Sequence, residues 1–264
     1  MNRGALGGKL PLHRALLGLQ FHKVRAPEPR RVGDDDDLVA ALRDAVLALA
    51  GSWFLGSILS SVVAQSSGHD TLADTPAGWV LLAQLALWAP MVAAAWYVGS
   101  RHGSGNLVRD YAYRVRPIDL AGIPLGVGVQ LGVLPLLYWP LGRAWPDTFG
   151  RGHLEQPARD LWNNAHGLGV LAIVFVAVVG APLVEELMYR GLLQGAFVRC
   201  TDRITGLLIV GVWFAAIHFQ PVQMPGLLLI GLVLGLVALR TGRLGMAVIT
   251  HMAFNATGLV LVAR

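Results

Sequence analysis

The sequence predicts an all-α, polytopic membrane protein, a bundle of about seven transmembrane helices. Three observations predict it. Hydrophobic residues fill 55% of the 264 positions and charged residues only 14%, against about 25% in soluble domains. Mean hydropathy is +0.56. The apolar residues fall in blocks close to the ~20 residues that carry a helix across a bilayer.

Residues 1–37 read as a polar, basic tail. Arg3, Lys9, Arg14, Lys23, Arg25, Arg30 and Arg31 precede the four aspartates at 34–37. The first apolar core lies too far from Met1 for a cleavable signal peptide. Within the tail, 10–21 reads either as disordered or as a short amphipathic helix on the inner membrane surface.

Residues 38–264 hold the transmembrane domain. Its apolar blocks run over 45–65, 77–98, 119–142, 168–198, 204–220, 224–239 and 244–263. Basic residues alternate between the connections. Segment 99–118 carries four arginines, 199–203 two and 240–243 two, whereas 66–76 and 221–223 carry none. Segment 143–167 carries three, offset by Asp147, Glu155 and Asp160. Because cytoplasmic connections collect Lys and Arg, this pattern puts the N-terminus in the cytoplasm and the C-terminus outside. Trp79, Trp96, Trp139, Trp145 and Trp162 near block ends suit the membrane–water boundary.

The net charge of +5 does not indicate nucleic acid, because the basic residues sit in the tail and between apolar blocks. Membrane lipid is the expected surrounding. Ala, Gly, Val and Arg are abundant and there are only two Lys, a composition that fits a GC-rich, bacterial genome and hence a bacterial cell membrane. Cys200 is the sole cysteine, so no intrachain disulfide forms. Glycines four apart, at Gly128/Gly132, Gly191/Gly195 and Gly231/Gly235, are expected where helices approach closely.

The informative residues are polar ones inside apolar blocks. Glu185 and Glu186 lie within a long apolar run, where each charge costs roughly 2.5–3.5 kcal/mol to insert. Glu186 and Arg190 are four apart on one helical face and can pair, while Glu185, about 100° around the helix, is left to face another space. One arginine needs one glutamate, so the second carboxylate suits a general base. His218 closes another block, and His251 and Asn255 share a face of the last one. Each alone reads as a satisfied core residue. Measured from the block ends at 198, 204 and 244, Glu185, His218, His251 and Asn255 lie roughly 20, 21, 10 and 16 Å deep, so three helices place them in one broad layer. A shared, partly hydrated cavity opening toward the cytoplasm explains that layer.

Glu185, His218 and His251 match the ligand set of a catalytic zinc site, if a metal is used. Alternatively, Glu185 and His218 activate a water directly, with His251 and Asn255 donating to the oxyanion of a tetrahedral intermediate. Both routes hydrolyse an amide. Neither HExxH nor Gly-x-Ser-x-Gly is present. A transporter reading is weaker, because the polar residues cluster in one half without an inverted repeat.

Glu185-Glu186 with Arg190, then Phe214 with His218, then His251 with Asn255, in this order on late helices, resemble the CPBP family of intramembrane proteases, the CAAX protease and bacteriocin-processing (Abi) group. Ala181-Pro182-Leu183-Val184 before the glutamates and Gly191-Leu192-Leu193 after Arg190 also fit. The resemblance covers about 119–263. It implies a helical membrane core with its site opening to the cytoplasm, and an endopeptidase acting on a membrane-associated peptide or protein. Glu185 and His218 would be the water-activating pair, His251 and Asn255 the transition-state stabilisers, and Glu186 with Arg190 the pair holding the helix in register. It leaves metal use open. It also admits a non-catalytic scaffold or bacteriocin immunity protein of the same fold.

Overall fold

The structure, a computed structural model, describes residues 34–69, 74–163 and 165–263. The tail 1–33, with the expected segment 10–21, lies outside the described residues. Eight helices carry the architecture: α1 Asp34–Ser66, α2 Ala77–His102, α3 Pro117–Ala144, α4 Arg151–Asn163, α5 Leu168–Cys200, α6 Arg203–Ala216, α7 Met224–Thr241 and α8 Gly245–Val262. Single turns at Leu107–Asp110 and Pro146–Phe149 lie between them, and no strand occurs among the described residues. The aspartates at 34–37, expected to end the tail, instead form the first turn of α1, where the helix dipole favours negative charge.

Among the described residues six helices, α1, α2, α3, α5, α7 and α8, are long and apolar enough to cross a membrane. The expected count of about seven is therefore not confirmed, a first departure from the sequence reading. The block at 204–220 gives α6, only 14 residues long, or about 21 Å against a hydrocarbon core of about 30 Å. The chain turns at 217–223, where Phe219 adopts a left-handed φ of 51°, and Pro225 opens α7. A second correction concerns 143–167. Sequence reading leaves it as a connection, but it contains α4, which carries an i,i+4 ion pair between Glu155 and Arg159.

The helices alternate in direction, and contacts fix their ends. At one end, the Cys200 thiol donates to the Leu38 carbonyl at 3.0 Å. Arg243, between α7 and α8, pairs with the fully buried Asp119 at the start of α3. At the other end, Tyr138 of α3 donates to the Val222 carbonyl at 3.0 Å and accepts from the Gly226 amide at 3.1 Å. There Gln223 donates to the Leu154 carbonyl of α4 at 2.9 Å. The first end carries the arginine-rich connections; the second carries α4, the 217–223 turn and the end of α8.

Close approach is decided at a few glycines. A Cβ on Gly126 would stand 2.3 Å from the Thr250 carbonyl oxygen, and one on Gly122 2.8 Å from that of Met246, so α3 lies directly on α8. Gly128 and Gly132, the expected packing pair, face open space. Their phase places them on the other side of α3. Gly231 and Gly235 do pack as expected, against Phe214 and against Leu207 with Gln194. Gly180 admits the Trp88 ring, 2.3 Å from where its Cβ would be.

Candidate active site

The site is built on α5. Its winding departs from an α-helix twice, with π-helical turns at Phe175–Gly180 and Glu186–Gln194. Such turns widen the backbone spiral and recur at functional positions. The second begins at Glu186 and includes Arg190.

Glu186 is fully buried, and its Oε1 accepts from Arg190 Nη1 at 3.0 Å. Arg190 in turn donates from Nη2 to the Gly231 carbonyl at 3.0 Å and lays its guanidinium over the Phe214 ring, 4.4 Å from the centroid. The expected Glu186–Arg190 pair is present, and it reaches beyond its own helix. One turn on, Gln194 donates to the Gly235 carbonyl at 3.0 Å. Arg190 and Gln194 thus meet two carbonyls that are also four residues apart, fixing the register of α5 on α7. Sequence reading missed Gln194; its spacing of four beyond Arg190 within an apolar run was the available signal.

His251 adds a partner that the sequence did not indicate. Its Nδ1 lies 2.9 Å from the same Oε1 of Glu186, and its Nε2 lies 3.9 Å from Oε2 of Glu185. A carboxylate oxygen accepts, so Nδ1 carries the hydrogen and Nε2 is the nitrogen left to face Glu185.

His218 is set differently. α6 ends at Ala216, so the carbonyls of its last turn lack helical donors. The ring takes one of them: Nδ1 lies 2.6 Å from the Phe214 carbonyl oxygen. Only donation by Nδ1–H makes that bond, so Nε2 again is the nitrogen left for other partners. The Phe214 ring stands edge-on to both imidazoles, at 4.8 Å from His218 and 6.1 Å from His251. Asn255 donates from Nδ2 to the Ala177 carbonyl at 2.8 Å, tying α8 to α5, and keeps a second amide hydrogen.

Glu185, His218, His251 and Asn255 all line one cavity of about 1030 Å³. Glu186 and Arg190 are not in its wall; they stand behind His251. The walls are largely apolar, with Gln130, Tyr138, Arg143, Glu155, Gln220 and Gln223 as polar points. The cavity extends between the second half of α3, α4, the 217–223 turn and the end of α8. It therefore approaches the end of the bundle opposite the connections at 199–203 and 240–243. Two expectations drawn from the sequence, a cytoplasmic arginine-rich end and a cavity opening to the cytoplasm, are incompatible in this fold.

Among the described residues no three His, Cys, Asp or Glu side chains are grouped to hold an ion, so Glu185, His218 and His251 do not form a ligand set in this arrangement.

On the connection from α2 to α3, Tyr113 donates to the Leu183 carbonyl at 2.9 Å, two residues before Glu185. Burial pushes its hydroxyl above the usual tyrosine range. It steadies the backbone leading into the glutamates.

Residues 167–257 match the family described as Type II CAAX prenyl endopeptidase Rce1-like. No curated protein and no solved structure matches the chain. The matched segment contains both glutamates, Arg190, His218, His251 and Asn255. In a helical, multi-pass membrane bundle, the segment that supplies the wall of polar residues is thus the one that matches the Rce1-like type II CAAX prenyl endopeptidase family.

Proposed function

We propose that the protein is an intramembrane endopeptidase. It hydrolyses a peptide bond of a membrane-associated peptide or protein with a water activated by Glu185 and His218. The observation that supports this reading is the convergence of Glu185, His218, His251 and Asn255, from α5, the 217–223 turn and α8, on one cavity.

The Glu185 carboxylate takes a proton from water as its oxygen attacks the scissile carbonyl carbon, and His218 Nε2 holds the second water hydrogen. The oxyanion that forms accepts from the free amide hydrogen of Asn255, with the His251 ring beside it as the second transition-state stabiliser. Glu185 then gives its proton to the departing amine as the C–N bond breaks. Glu186 and Arg190 are positioning residues that hold His251. No metal enters these steps. The setting is a bacterial cell membrane with the N-terminus in the cytoplasm, and the partners are lipid and the peptide, with no nucleic acid.

One observation favours a second reading. The polar atoms of His251 and Asn255 already bond helix to helix, as in a scaffold or bacteriocin immunity protein of this fold. Alanine substitution separates the two. Glu185→Ala and His218→Ala should each lower cleavage by about 10²–10⁴-fold while the purified protein keeps its thermal transition. Unchanged cleavage by both variants would rule out this mechanism, whereas no cleavage by the wild-type protein, with protection of the host retained by both variants, would favour the scaffold. A Glu185→Gln variant that retains bound peptides, identified by mass spectrometry, would name the substrate.

A further inference from the structure

The cavity and the charge distribution occupy opposite ends of the molecule. The end away from the cavity holds four arginines in 101–116, two in 199–203 and two in 240–243, and α1 begins at that end. The cavity end holds Arg143, Arg151 and Arg159, set against Asp147, Glu155 and Asp160. Short connections and juxtamembrane segments rich in Arg and Lys stay in the cytoplasm, whereas acidic residues contribute little. Contacts tie each end together: Cys200 with Leu38 and Arg243 with Asp119 at the arginine-rich end, Gln223 with Leu154 and Tyr138 with Val222 at the other.

We infer that the cavity opens on the non-cytoplasmic side of the membrane and admits its peptide from there. The substrate is then a chain end or loop held at the outer leaflet, with apolar residues against the α3 and α7 walls. It is not a lipid-modified cytosolic C-terminus. Arg143, Glu155, Gln220 and Gln223 supply hydrogen-bonding groups for its backbone. This rests on the protease reading for the word substrate, but the sidedness is independent of it.

Site-directed thiol labelling tests the inference. With Cys200→Ser as background, Glu155→Cys and Gln220→Cys report the cavity, and Arg109→Cys and Arg240→Cys report the opposite end. Each variant is exposed to a membrane-impermeant maleimide in right-side-out and in inside-out vesicles, and again in detergent to establish that the thiol reacts. The cavity cysteines should be modified from the right-side-out face, and the other two only in inside-out vesicles. The reverse pattern overturns the inference and leaves proteolysis standing. Protection of both cavity cysteines on the outer face, with reaction in detergent, also overturns it. Labelling reads the side of access without requiring cleavage, whereas the Glu185 variants read cleavage without reporting the side.

Discussion

His251 Nδ1 stands 2.9 Å from Oε1 of Glu186, an oxygen that also takes the Arg190 hydrogen at 3.0 Å. A single buried carboxylate therefore holds a ring on α8 and a guanidinium on its own helix. The two neighbouring glutamates have divided tasks. Glu186 is enclosed and engaged through this oxygen, its Oε2 being buried without a hydrogen-bond partner, and Glu185 faces the cavity.

That division predicts unequal stability effects. Glu186→Ala leaves the Arg190 charge buried without its partner, a loss of about 3–5 kcal/mol. Thermal unfolding in detergent should show a large fall in Tm for Glu186→Ala and little change for Glu185→Ala. Equal Tm values for the two variants would contradict the assignment of Glu186 as the structural carboxylate.

Arg190→Lys should also be costly. A lysine keeps the charge but lacks the planar fork that reaches Glu186 and the Gly231 carbonyl at once while stacking on Phe214. Losing one charge-assisted bond should lower stability by about 1.5–3 kcal/mol. Activity per folded molecule should fall too, because Glu186, the partner of His251, is held less firmly. A variant with wild-type Tm and turnover would show that charge alone suffices.

Gly126→Ala and Gly128→Ala form an internal control. The first drives a methyl against the Thr250 backbone, and the second adds one in open space. Overpacking of this kind costs about 1–3 kcal/mol, whereas the second change should stay within about 0.5 kcal/mol. Comparing yield and Tm of the two detergent-purified variants checks it.

Tyr111, on the α2–α3 connection, should make stability sensitive to alkali. Its hydroxyl donates to the Ala95 carbonyl at 2.7 Å, and burial, with Asp110 beside it, pushes its pKa up to about 12. In the unfolded chain it titrates near the ordinary tyrosine value of about 10. The unfolded state therefore binds fewer protons between these values, and stability declines with rising pH. This contribution is intact below pH ~10 and lost progressively as pH climbs toward ~12. Tyr111→Phe should flatten the Tm–pH curve in that window, and an unchanged slope would count against the assignment.

The reach of the sequence can be traced residue by residue. Long apolar blocks located the six spanning helices, because hydropathy and length suffice for that. The Glu186–Arg190 pair was legible because it lies within one helix. The attachment of His251 to Glu186 was not, since it depends on how α8 meets α5. Gly128/Gly132 misled for a similar reason: spacing marks a candidate seam, but only the rotation of α3 decides that Gly122 and Gly126 face α8. The short α6 escaped because apolar residues continue through the 217–223 turn, where backbone geometry, not hydropathy, stops the helix. α4 escaped because its composition is that of a loop.

The early turn after α6 has a chemical consequence. Irregular backbone at membrane depth is tolerated where it borders protein or water, and the 217–223 turn borders the cavity at His218. A hydrolase within a bilayer must bring a polar reagent into an oily layer. Here the unfinished helix leaves the passage, and His218 stands at its inner end.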